Sequence, residues 1–573
     1  MNSKKIIFAT VMIFLVIVMT FAACKKGTEP IVVTDENGNP VTDINGEVIT
    51  VIPETEIIEV TDENGEVVTK ANGEPETTIR YIPQDVGIPV TDINGEAVTN
   101  ADGEVLTTMI VVPVESTTGI IINVPVTDEN GETQTDEDGS VITETTVSSL
   151  PDDAPSNNIA VSNTIGGSGN DKFTSVAATS DGGFVAAMQT TSRDGGMAVT
   201  SAYKSTASVL VKFSKTGRQE WIKAVGGTGN TNINDIVVDK KGNIYVVGNA
   251  KKNDFFTING SEYDAFLQKY TSSGELVFTK GWGGSSNEVF YGVAVDGDGN
   301  AYAAGFAYSQ NGDCESLGIA KADSVAAIVK FDSDGNVVAQ KGFGAFGDYF
   351  SDVDVNDNGE IFLSMIISSK KDSSLFTPYG YADVAMLKLD EDFNVVFSKQ
   401  WGGSKADYIA RIAATSDGGC VAVGNTKSSD YSFASLGNKG ENDAMITKFD
   451  SDGSIGWIKG FVGTGNDQFT SVALASDGSI VVAGQSSSNT RDFKFVGNLG
   501  GTDAFVAKYT SGGSLVSAQG FGGSGDDEFS AVCVLSSGQT LAAGSTLSTD
   551  GYFANLNPKS DGKNKTGMFF SFR

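Results

Sequence analysis

The chain has 573 residues, with 72 acidic and 39 basic side chains, a formal net charge of −33 and no histidine. The lack of histidine excludes the commonest general base, the commonest zinc ligand and any Ser-His-Asp or Cys-His catalytic arrangement. Strong net acidity without a basic stripe argues against nucleic-acid binding.

Residues 1–24 are predicted to be a secretory signal. Lys4 and Lys5 precede an apolar stretch over residues 6–23, which ends in Phe-Ala-Ala-Cys24. Small residues before a cysteine, directly after an apolar core, resemble a bacterial lipobox. The resemblance implies cleavage before Cys24 and a lipid (palmitate or a similar acyl chain) on its sulfur and amino group. A plain signal peptide or an uncleaved anchor is the alternative. Several acyl chains hold a protein to a bilayer far better than one, so we expect an extracytoplasmic protein anchored to the cell membrane.

Residues 25–157 form a predicted stalk with 28 acidic and 4 basic side chains. Threonine recurs every eight residues in four clusters, and each cluster contains two Asn-Gly or Asp-Gly pairs. The eight pairs are Asn37-Gly38, Asn45-Gly46, Asn64-Gly65, Asn72-Gly73, Asn94-Gly95, Asp102-Gly103, Asn130-Gly131 and Asp138-Gly139. Such pairs favour tight hairpin turns. A lone hairpin is marginally stable in water, and a large charge excess is also typical of disorder, so small hairpins and disorder are both open.

Like charges along the stalk repel one another and extend it. The stalk is therefore predicted to be a spacer that lifts the C-terminal domain off the membrane. Calcium binding by its Asp-x-Asn-Gly turns is the alternative, although the full EF-hand loop with its distal glutamate is absent. No other cofactor is expected.

From residue 166 onward one pattern of about sixty residues recurs seven times. A glycine followed four positions later by a usually acidic residue recurs at Gly167, Gly227, Gly284, Gly344, Gly403, Gly463 and Gly523, with spacings of 60, 57, 60, 59, 60 and 60. A fixed period marks a repeat architecture. Each unit holds four short segments rich in Val, Phe, Ala and Ile, bounded by Gly, Asp or Ser, which is typical of strands. We therefore predict an all-β fold, a seven-bladed β-propeller over residues 158–573.

Two sets of apolar positions recur in register within the repeat, and we expect them to pack between neighbouring blades. The first set is Phe173, Ile233, Phe290, Phe350, Ile409, Phe469 and Phe529. The second is Val176, Ile236, Val293, Val353, Ile412, Val472 and Val532.

The seventh unit lacks one strand, because the chain ends directly after its third strand, GMFFSF at residues 567–572. The sequence NIAVSNTIGG (158–167) resembles SLVSAQGFGG (514–523), the fourth strand of the preceding unit. The N-terminal strand is therefore predicted to complete the last blade. Ring closure removes the open sheet edges that promote aggregation.

Two stretches, GGSGNDKFTSVAATSDGGFVAA (166–187) and ENDAMITKFDSDGSIGWIKGFVG (441–463), resemble the SBBP-type bacterial β-propeller repeat. The resemblance covers residues 158–573 and implies a surface or secreted propeller of mostly unassigned role. Blade 2 departs from the pattern, with Thr231 in place of the acid. Blade 7 is predicted to have Phe572 where the other six blades have lysine, namely Lys212, Lys269, Lys330, Lys388, Lys448 and Lys508.

The connections of a propeller divide between two rims. If strands A to D run outward from the axis, short Asp-Gly turns join A to B and C to D on one rim, which we call the turn rim. The D–A links and the long B–C links share the other, the long-loop rim. The B–C links vary most, as at 250–263, 307–323 and 426–442. Variable loops on a rigid scaffold usually carry binding, so a ligand is predicted on the long-loop rim, and the turn rim is expected to offer little surface.

Six acids occupy one repeat position in the D–A links: Asp171, Glu288, Asp348, Asp407, Asp467 and Asp527. They either cap turns or form a ligand-binding or cation-binding rim, with Ca²⁺ as a candidate. Strand A also carries Asp235, Asp352 and Arg411 where other blades have Ser, Gly or Ala. Asp352 and Arg411 lie in adjacent blades and are expected to pair; substrate binding is the alternative.

The cysteines beyond the signal, Cys314, Cys420 and Cys533, fit neither a zinc site nor a disulfide framework. Cys420 and Cys533 are expected to be small buried residues. The sequence favours a non-catalytic binding module for a protein or polysaccharide. A carboxylate-dependent glycosidase or lyase and a purely structural surface protein are the alternatives.

Overall fold

A computed structural model divides the chain into two compact units, Met1–Ala154 and Pro155–Arg573. It describes the strands of the first unit and residues 159–572 of the second, apart from gaps at 204–205, 227–229, 252–262, 320–323, 345, 369–375, 437–440, 495–497, 555 and 557–562. The signal segment, Cys24 and the turn pairs of the stalk lie outside the described residues. No helix in the described part of the chain is both long and apolar enough to cross a bilayer.

The described residues of the first unit form four antiparallel strand pairs. They are β1 (Ile31–Val32) with β2 (Thr50–Val51), β3 (Glu54–Glu59) with β4 (Thr77–Ile82), β5 (Gln84–Pro89) with β6 (Thr107–Val112), and β7 (Ile120–Pro125) with β8 (Thr143–Ser148). In the sequence, each pair flanks the turn pairs of one threonine cluster. This is the arrangement that the hairpin alternative predicts for the stalk.

The second unit consists of seven antiparallel four-stranded sheets. Blade 1 is β10 (Asp171–Ala178), β11 (Phe184–Thr190), β12 (Ala207–Phe213) and β13 (Gln219–Val225); blade 2 is β14 (Thr231–Val238), β15 (Ile244–Lys251), β16 (Tyr263–Tyr270) and β17 (Leu276–Trp282); blade 3 is β18 (Glu288–Val295), β19 (Ala301–Ala307), β20 (Val325–Phe331) and β21 (Val337–Phe343). Blade 4 is β22 (Tyr349–Val355), β23 (Ile361–Ile367), β24 (Asp383–Leu389) and β25 (Val395–Trp401); blade 5 is β26 (Asp407–Ala414), β27 (Cys420–Thr426), β28 (Asp443–Phe449) and β29 (Ile455–Phe461). Blade 6 is β30 (Asp467–Leu474), β31 (Ile480–Ser486), β32 (Asp503–Tyr509) and β33 (Leu515–Phe521); blade 7 is β34 (Asp527–Val534), β35 (Thr540–Thr546), β36 (Thr566–Phe572) and β9 (Ile159–Ile165).

The sheets form a closed ring. The first strand of each blade packs against the first strand of the next, from β10 through β34 and back to β10. Strand A is therefore the innermost strand of every blade, and the predicted seven-bladed propeller is confirmed. Each strand A also carries a β-bulge after its first buried apolar residue, as between Phe173 and Ser175.

The N-terminal strand completes the ring, as predicted. Strand β9 pairs antiparallel with β36, with Ile165 opposite Gly567 and Thr164 opposite Met568. From β36, the Phe569 ring packs on blade 1, with its centroid 5.0 Å from that of Phe184 and 4.9 Å from that of Phe213. The two ends of the propeller sequence are thus joined by both hydrogen bonds and core packing.

The recurring apolar positions lie between blades, as predicted. In the first set the exposed fraction is at most 3%, and in the second it is at most 9%. Most junctions also contain aromatic contacts across blades, for example Trp282 of blade 2 stacked on Phe290 of blade 3 with centroids 5.1 Å apart. Ring closure and core formation therefore depend on the same residues.

The strand register corrects one prediction about blade 7. In blade 1, Lys212 of the third strand lies opposite Val185 of the second strand. In blade 7 the residue equivalent to Val185 is Leu541, and it lies opposite Ser571. Ser571 therefore occupies the lysine position, and Phe572 lies opposite Thr540 where Phe213 lies opposite Phe184. The prediction that Phe572 replaces lysine was wrong by one residue, because Phe572 holds the large apolar position that ends every third strand, as Phe213 does in blade 1 and Leu389 in blade 4.

Short 3-10 helices occur in five of the B–C loops, at Gly195–Thr200, Gly312–Leu317, Tyr431–Phe433, Arg491–Lys494 and Gly551–Phe553. The third residue of each helix is fully buried: Met197, Cys314, Phe433, Phe493 and Phe553. Cys314 is therefore a core residue of its loop. Cys420 and Cys533 are buried and not in disulfides, as expected, and burial raises the pKa of the Cys420 thiol well above its usual range.

Candidate functional site

The D–A and B–C loops lie on one rim, as predicted, because they hydrogen-bond to each other. In blade 1 the backbone N–H of Ser168 donates to the Asp194 carboxylate at 2.7 Å, and that of Gly169 donates to the Ser192 hydroxyl at 2.7 Å. The same bond joins Ser404 to Asp430 in blade 5 at 2.8 Å. The rigid D–A loops thereby hold the first part of the variable loops in place.

The six recurring acids are buried in this loop contact, with exposed fractions of 0 or 1%. Asp171 accepts the N–H of Gly167 and the hydroxyl of Ser192, both at 2.8 Å, and the hydroxyl of Thr190. Asp407 and Asp527 accept the same set of bonds in their own blades. These carboxylates therefore cap the D–A turns.

The remaining acids of this set are held in similar ways. Glu288 accepts the N–H groups of Gly284 and Ser309, Asp348 accepts that of Ser368, and Asp467 accepts two serine hydroxyls. Burial raises the pKa of Asp407 and of Asp467 to about 6. Their placement favours turn capping over the alternative of a solvent-facing ligand or cation rim. Among the residues that the structure describes, no three or more acidic or cysteine side chains form a group suited to a metal ion.

A second polar cluster lies in the central channel. Each blade contributes one residue to this part of the channel, the residue that follows the bulge of its strand A. These residues are Ser175, Asp235, Gly292, Asp352, Arg411, Ser471 and Ala531. Most of them line a cavity of 350 Å³. The guanidinium of Arg411 lies 3.3 Å from Asp235 Oδ1 and 3.6 Å from Asp352 Oδ1.

The expected pair of Asp352 and Arg411 is therefore present, and Asp235 is a further partner. The sequence did not indicate this partner because blades 2 and 5 are not adjacent. Arg411 also donates to the backbone carbonyls of Asn234 and Tyr291, at 3.0 and 3.3 Å. One side chain thus binds groups from blades 2, 3 and 4.

The carboxylates of this channel cluster are held by internal bonds. Asp352 accepts the N–H of Ile412 at 2.8 Å, and Asp235 accepts the hydroxyl of Ser175 at 2.8 Å. Burial raises the pKa of Asp352, and the charge of Arg411 lowers it in part. Charges that face one another across a channel and are held by backbone groups are suited to fixing the positions of the blades.

The turn rim differs from the expectation that it offers little surface. A cleft of 640 Å³ lies between the turns of blades 3 and 4, lined by Asp296, Asp298, Lys330, Glu360 and Lys388 among others. Residues of two adjacent blades line it, so the turns of a single repeat do not indicate it. Lys388 pairs with Glu360 at 2.6 Å, and Lys330 lies 5.1 Å from the ring centroid of Tyr302. Its cationic groups are thus bound within the protein.

The long-loop rim carries a group of exposed aromatic residues that the sequence analysis did not identify. We call this group the aromatic rim; its members are Phe346, Tyr379, Tyr381, Tyr408 and Tyr431, all between 39 and 74% exposed. They belong to the loops of blades 4 and 5, to the start of strand β26 and to the link between blades 3 and 4. The aromatic rim therefore occupies one sector of the ring.

Ring contacts connect the aromatic rim with the mouth of the channel. Phe346 meets Tyr308 at 6.2 Å between centroids, and Tyr308 meets Phe306 at 5.3 Å. Tyr291 of blade 3 meets Tyr349 of blade 4 at 5.5 Å. A chain of aromatic contacts thus continues inward over blades 3 and 4.

At one repeat position beside the channel mouth, blades 1, 2, 6 and 7 have polar residues, whereas blades 4 and 5 have tyrosine. The residue after the turn-capping position is Tyr349 in blade 4 and Tyr408 in blade 5, whereas the other blades have Lys172, Asn232, Val289, Gln468 and Glu528. Glu528 forms ion pairs with Lys172 at 3.1 Å and Lys565 at 2.6 Å. This change of residue type within a fixed repeat position is the sequence signal that could have located the aromatic rim.

Comparison with known proteins agrees with this architecture. Residues 220–256 match the sequence profile of the family described as SBBP, β-propeller repeat. The regulatory protein FlaEY of Caulobacter vibrioides is 23% identical over 181 residues, which cover 30% of this chain and 19% of FlaEY. The chain thus matches about a fifth of the length of that relative.

Solved structures with a similar fold share little sequence with the chain. The WD40 domain of Neurospora crassa Pan2 has a TM-score of 0.38 at 10% identity, covering 72% of this chain and 98% of that domain. The phage phi92 endosialidase has a TM-score of 0.38 at 11% identity, covering 73% and 69%. Sqt1 from Chaetomium thermophilum has a TM-score of 0.37 at 8% identity, covering 73% and 99%.

Proposed function

We propose that the protein is a membrane-anchored extracytoplasmic lipoprotein whose propeller is a non-catalytic binding module for a protein or polysaccharide. The β-propeller fold itself suggests a binding or interaction module. The observation that carries the proposal is the aromatic rim, a group of exposed tyrosines and phenylalanine that, among the residues the structure describes, lies in one sector of the long-loop rim.

Exposed aromatic rings support binding because contiguous apolar surface is rare on soluble proteins and usually marks a contact site. Tyrosine and phenylalanine are also enriched where proteins meet partners, since each ring contributes a large contact area and tyrosine adds a hydroxyl. The polar residues at the same repeat position in blades 1, 2, 6 and 7 support a local function in the aromatic sector, because the propeller fold does not require an aromatic residue there.

Two observations support a binding module over an enzyme. The chain has no histidine, and the buried acids of the long-loop rim are held by bonds within their own loops, as for Asp171 and Asp407. General acid–base catalysis needs a group within reach of the substrate. A carboxylate held inside a turn is poorly placed for that role.

The apolar segment before Cys24 supports anchoring, and the acidic stalk supports display of the propeller away from the membrane. The proposed arrangement is therefore a lipid at Cys24, a spacer over residues 25–157 and a ligand on the long-loop rim. The fold alone does not require this arrangement, which depends on the sequence of the first 157 residues.

The test uses the full-length protein to capture envelope proteins and isolated cell-wall polysaccharide. We expect the double variant Tyr379→Ala, Tyr408→Ala to lose capture, while Val395→Ala, Val396→Ala retains it, since the two valines are exposed on the outer strand β25. Equal capture by both variants would contradict a ligand site on the aromatic rim. Release of reducing ends from the polysaccharide by the wild type would contradict a non-catalytic role.

A further inference from the structure

Tyr431 occupies a backbone position where other blades have glycine. It is the first residue of the 3-10 helix in the B–C loop of blade 5, with φ of 46°. The corresponding residues of blades 1, 3 and 7 are Gly195, Gly312 and Gly551, with φ of 57°, 64° and 59°. In blade 6 the position is held by Arg491, with φ of 56°.

A side chain at this position is unfavourable for two reasons. Residues with a β-carbon rarely adopt positive φ, because the β-carbon then crowds the backbone. A β-carbon added to Gly312 would also lie 2.5 Å from the carbonyl oxygen of Gly283, and one added to Gly551 would lie 2.3 Å from that of Gly522. Blade 5 nevertheless has its tyrosine at this position of the loop.

The tyrosine does not compensate for this strain by packing in the core. Phe433, two residues later, fills the core position of this loop and is fully buried, whereas Tyr431 is 65% exposed. Arg491 has the same backbone strain in blade 6, so the strain alone does not mark a site; what distinguishes blade 5 is an exposed aromatic ring at a position where the fold accepts glycine.

The neighbouring loop presents a matching ring. Tyr379 of blade 4 stacks on Tyr431 with centroids 5.2 Å apart and an angle of 11° between the ring planes. Each ring covers one face of the other, so the exposure of both residues, 51% for Tyr379 and 65% for Tyr431, places their outer faces in solvent. We call these two residues the tyrosine pair.

We infer that the tyrosine pair is a stacking platform for a neutral polysaccharide, which rests on the proposed binding function and names the ligand class of the same rim. Sugars with equatorial substituents present flat C–H faces, which pack on aromatic rings, and the phenol hydroxyls can donate and accept bonds from sugar hydroxyls. Tyr381 and Tyr408 add two more exposed phenols to the aromatic rim.

Charge favours a neutral glycan over an acidic one. Residues 158–573 hold 44 acidic and 33 basic side chains, and the residue before Tyr431 is Asp430, whose carboxylate accepts the N–H of Ser404 and has a lowered pKa, so that it stays ionised. A polyanion would be repelled by this field. A protein partner would more typically insert an anchor into a pocket, whereas the tyrosine pair offers flat, outward-facing rings.

The inference is tested by calorimetric titration of full-length protein with cellohexaose, xylohexaose, mannohexaose and, as an acidic probe, polygalacturonate. The variants are Tyr431→Gly, Tyr431→Phe and the matched control Arg491→Gly, which removes a side chain from the same strained position in blade 6. We expect at least one neutral hexasaccharide to bind the wild type. Tyr431→Gly should weaken binding at least tenfold without lowering the melting temperature, while Tyr431→Phe should bind within about threefold of wild type, because the ring is retained. Arg491→Gly should bind as wild type does.

Undiminished binding by Tyr431→Gly, or binding of polygalacturonate alone, would overturn the inference. If no glycan binds but capture of an envelope protein is lost in Tyr431→Gly, the inference fails and the proposed binding rim stands. If the variant changes neither glycan binding nor protein capture, and Tyr379→Ala, Tyr408→Ala also retains capture, both fail.

Discussion

The guanidinium of Arg411 in blade 5 lies 3.3 Å from the carboxylate of Asp235 in blade 2, although three blade junctions separate the two residues around the ring. The same guanidinium lies 3.6 Å from Asp352 of the adjacent blade 4. Arg411 therefore links blades that do not share a junction. The equivalent residues of blades 1, 3, 6 and 7 are uncharged: Ser175, Gly292, Ser471 and Ala531. We interpret Arg411 as a residue that stabilises the ring by linking non-adjacent blades.

Replacing Arg411 with alanine should destabilise the propeller by about 3 kcal/mol, because it leaves two largely buried carboxylates without their cation. Chemical denaturation of the purified propeller measures the change. The matched control is Lys240→Ala, which removes a solvent-exposed ion pair with Asp357 and should lower stability far less, because exposed ion pairs contribute little to stability. Equal effects of the two substitutions on stability would contradict a stabilising role of Arg411.

The stability of the propeller should fall as pH rises from about 4 to 7. Burial raises the pKa of Asp354, Asp407 and Asp467 to about 6. Between their usual value of 3.8 and about 6 the folded state then binds more protons than the unfolded state, so stability decreases with increasing pH over this window. Acids with lowered pKa, such as Asp181 at about 2, oppose this trend only below pH 4.

Thermal melts at pH 5 and pH 7 test the prediction, with a melting temperature several degrees higher expected at pH 5. The double variant Asp407→Asn, Asp467→Asn should reduce the difference between the two pH values, because it removes two of the titrating groups. A wild-type melting temperature that is higher at pH 7 would contradict it.

Removal of strand β9 should destabilise the whole ring. A truncated variant beginning at Gly166 exposes the edge of β36 and uncovers the ring of Phe569, so it should melt at a lower temperature and aggregate. Differential scanning calorimetry measures the melting temperature and light scattering measures aggregation. A variant that begins at residue 155 and retains β9 is the reference. Indistinguishable melts would contradict closure by this strand.

Replacement of Cys24 by alanine should release the protein from the membrane fraction, since the proposed lipid is attached to this sulfur. Metabolic labelling with an alkyne analogue of palmitate, followed by fractionation, measures both attachment and location. A wild-type protein that incorporates no label would contradict lipid anchoring.

Much of the fold could be predicted from the sequence, because in a repeat each residue is compared with six equivalents. The period located strand A, the apolar positions such as Phe173, and the strand that closes blade 7. The prediction for Phe572 was wrong by one residue because blade 7 has serine, Ser571, at the lysine position. For the stalk, the sequence left hairpins and disorder both open, because local turn signals do not determine whether an isolated hairpin is stable.

The candidate site was harder to predict because it depends on contacts between blades. The acids at Asp171 and its equivalents were conspicuous in the sequence but cap turns in the structure. The tyrosine pair is formed by residues 52 positions apart in two loops that differ in sequence, and no repeat pattern relates Tyr379 to Tyr431. The bond from Arg411 to Asp235 was missed for the same reason, because it crosses the channel.

The central claim is that ligand binding belongs to the long-loop rim, and a paired loop exchange tests it most directly. One variant shortens the loops at 307–323 and 426–442, and a second alters the turns at Asp334-Gly335 and Asp452-Gly453 on the turn rim. Capture of envelope protein and cell-wall polysaccharide is then measured for both. The account predicts that the first variant loses capture and the second retains it. Loss of capture by the second variant alone would contradict the account and place the site on the turn rim.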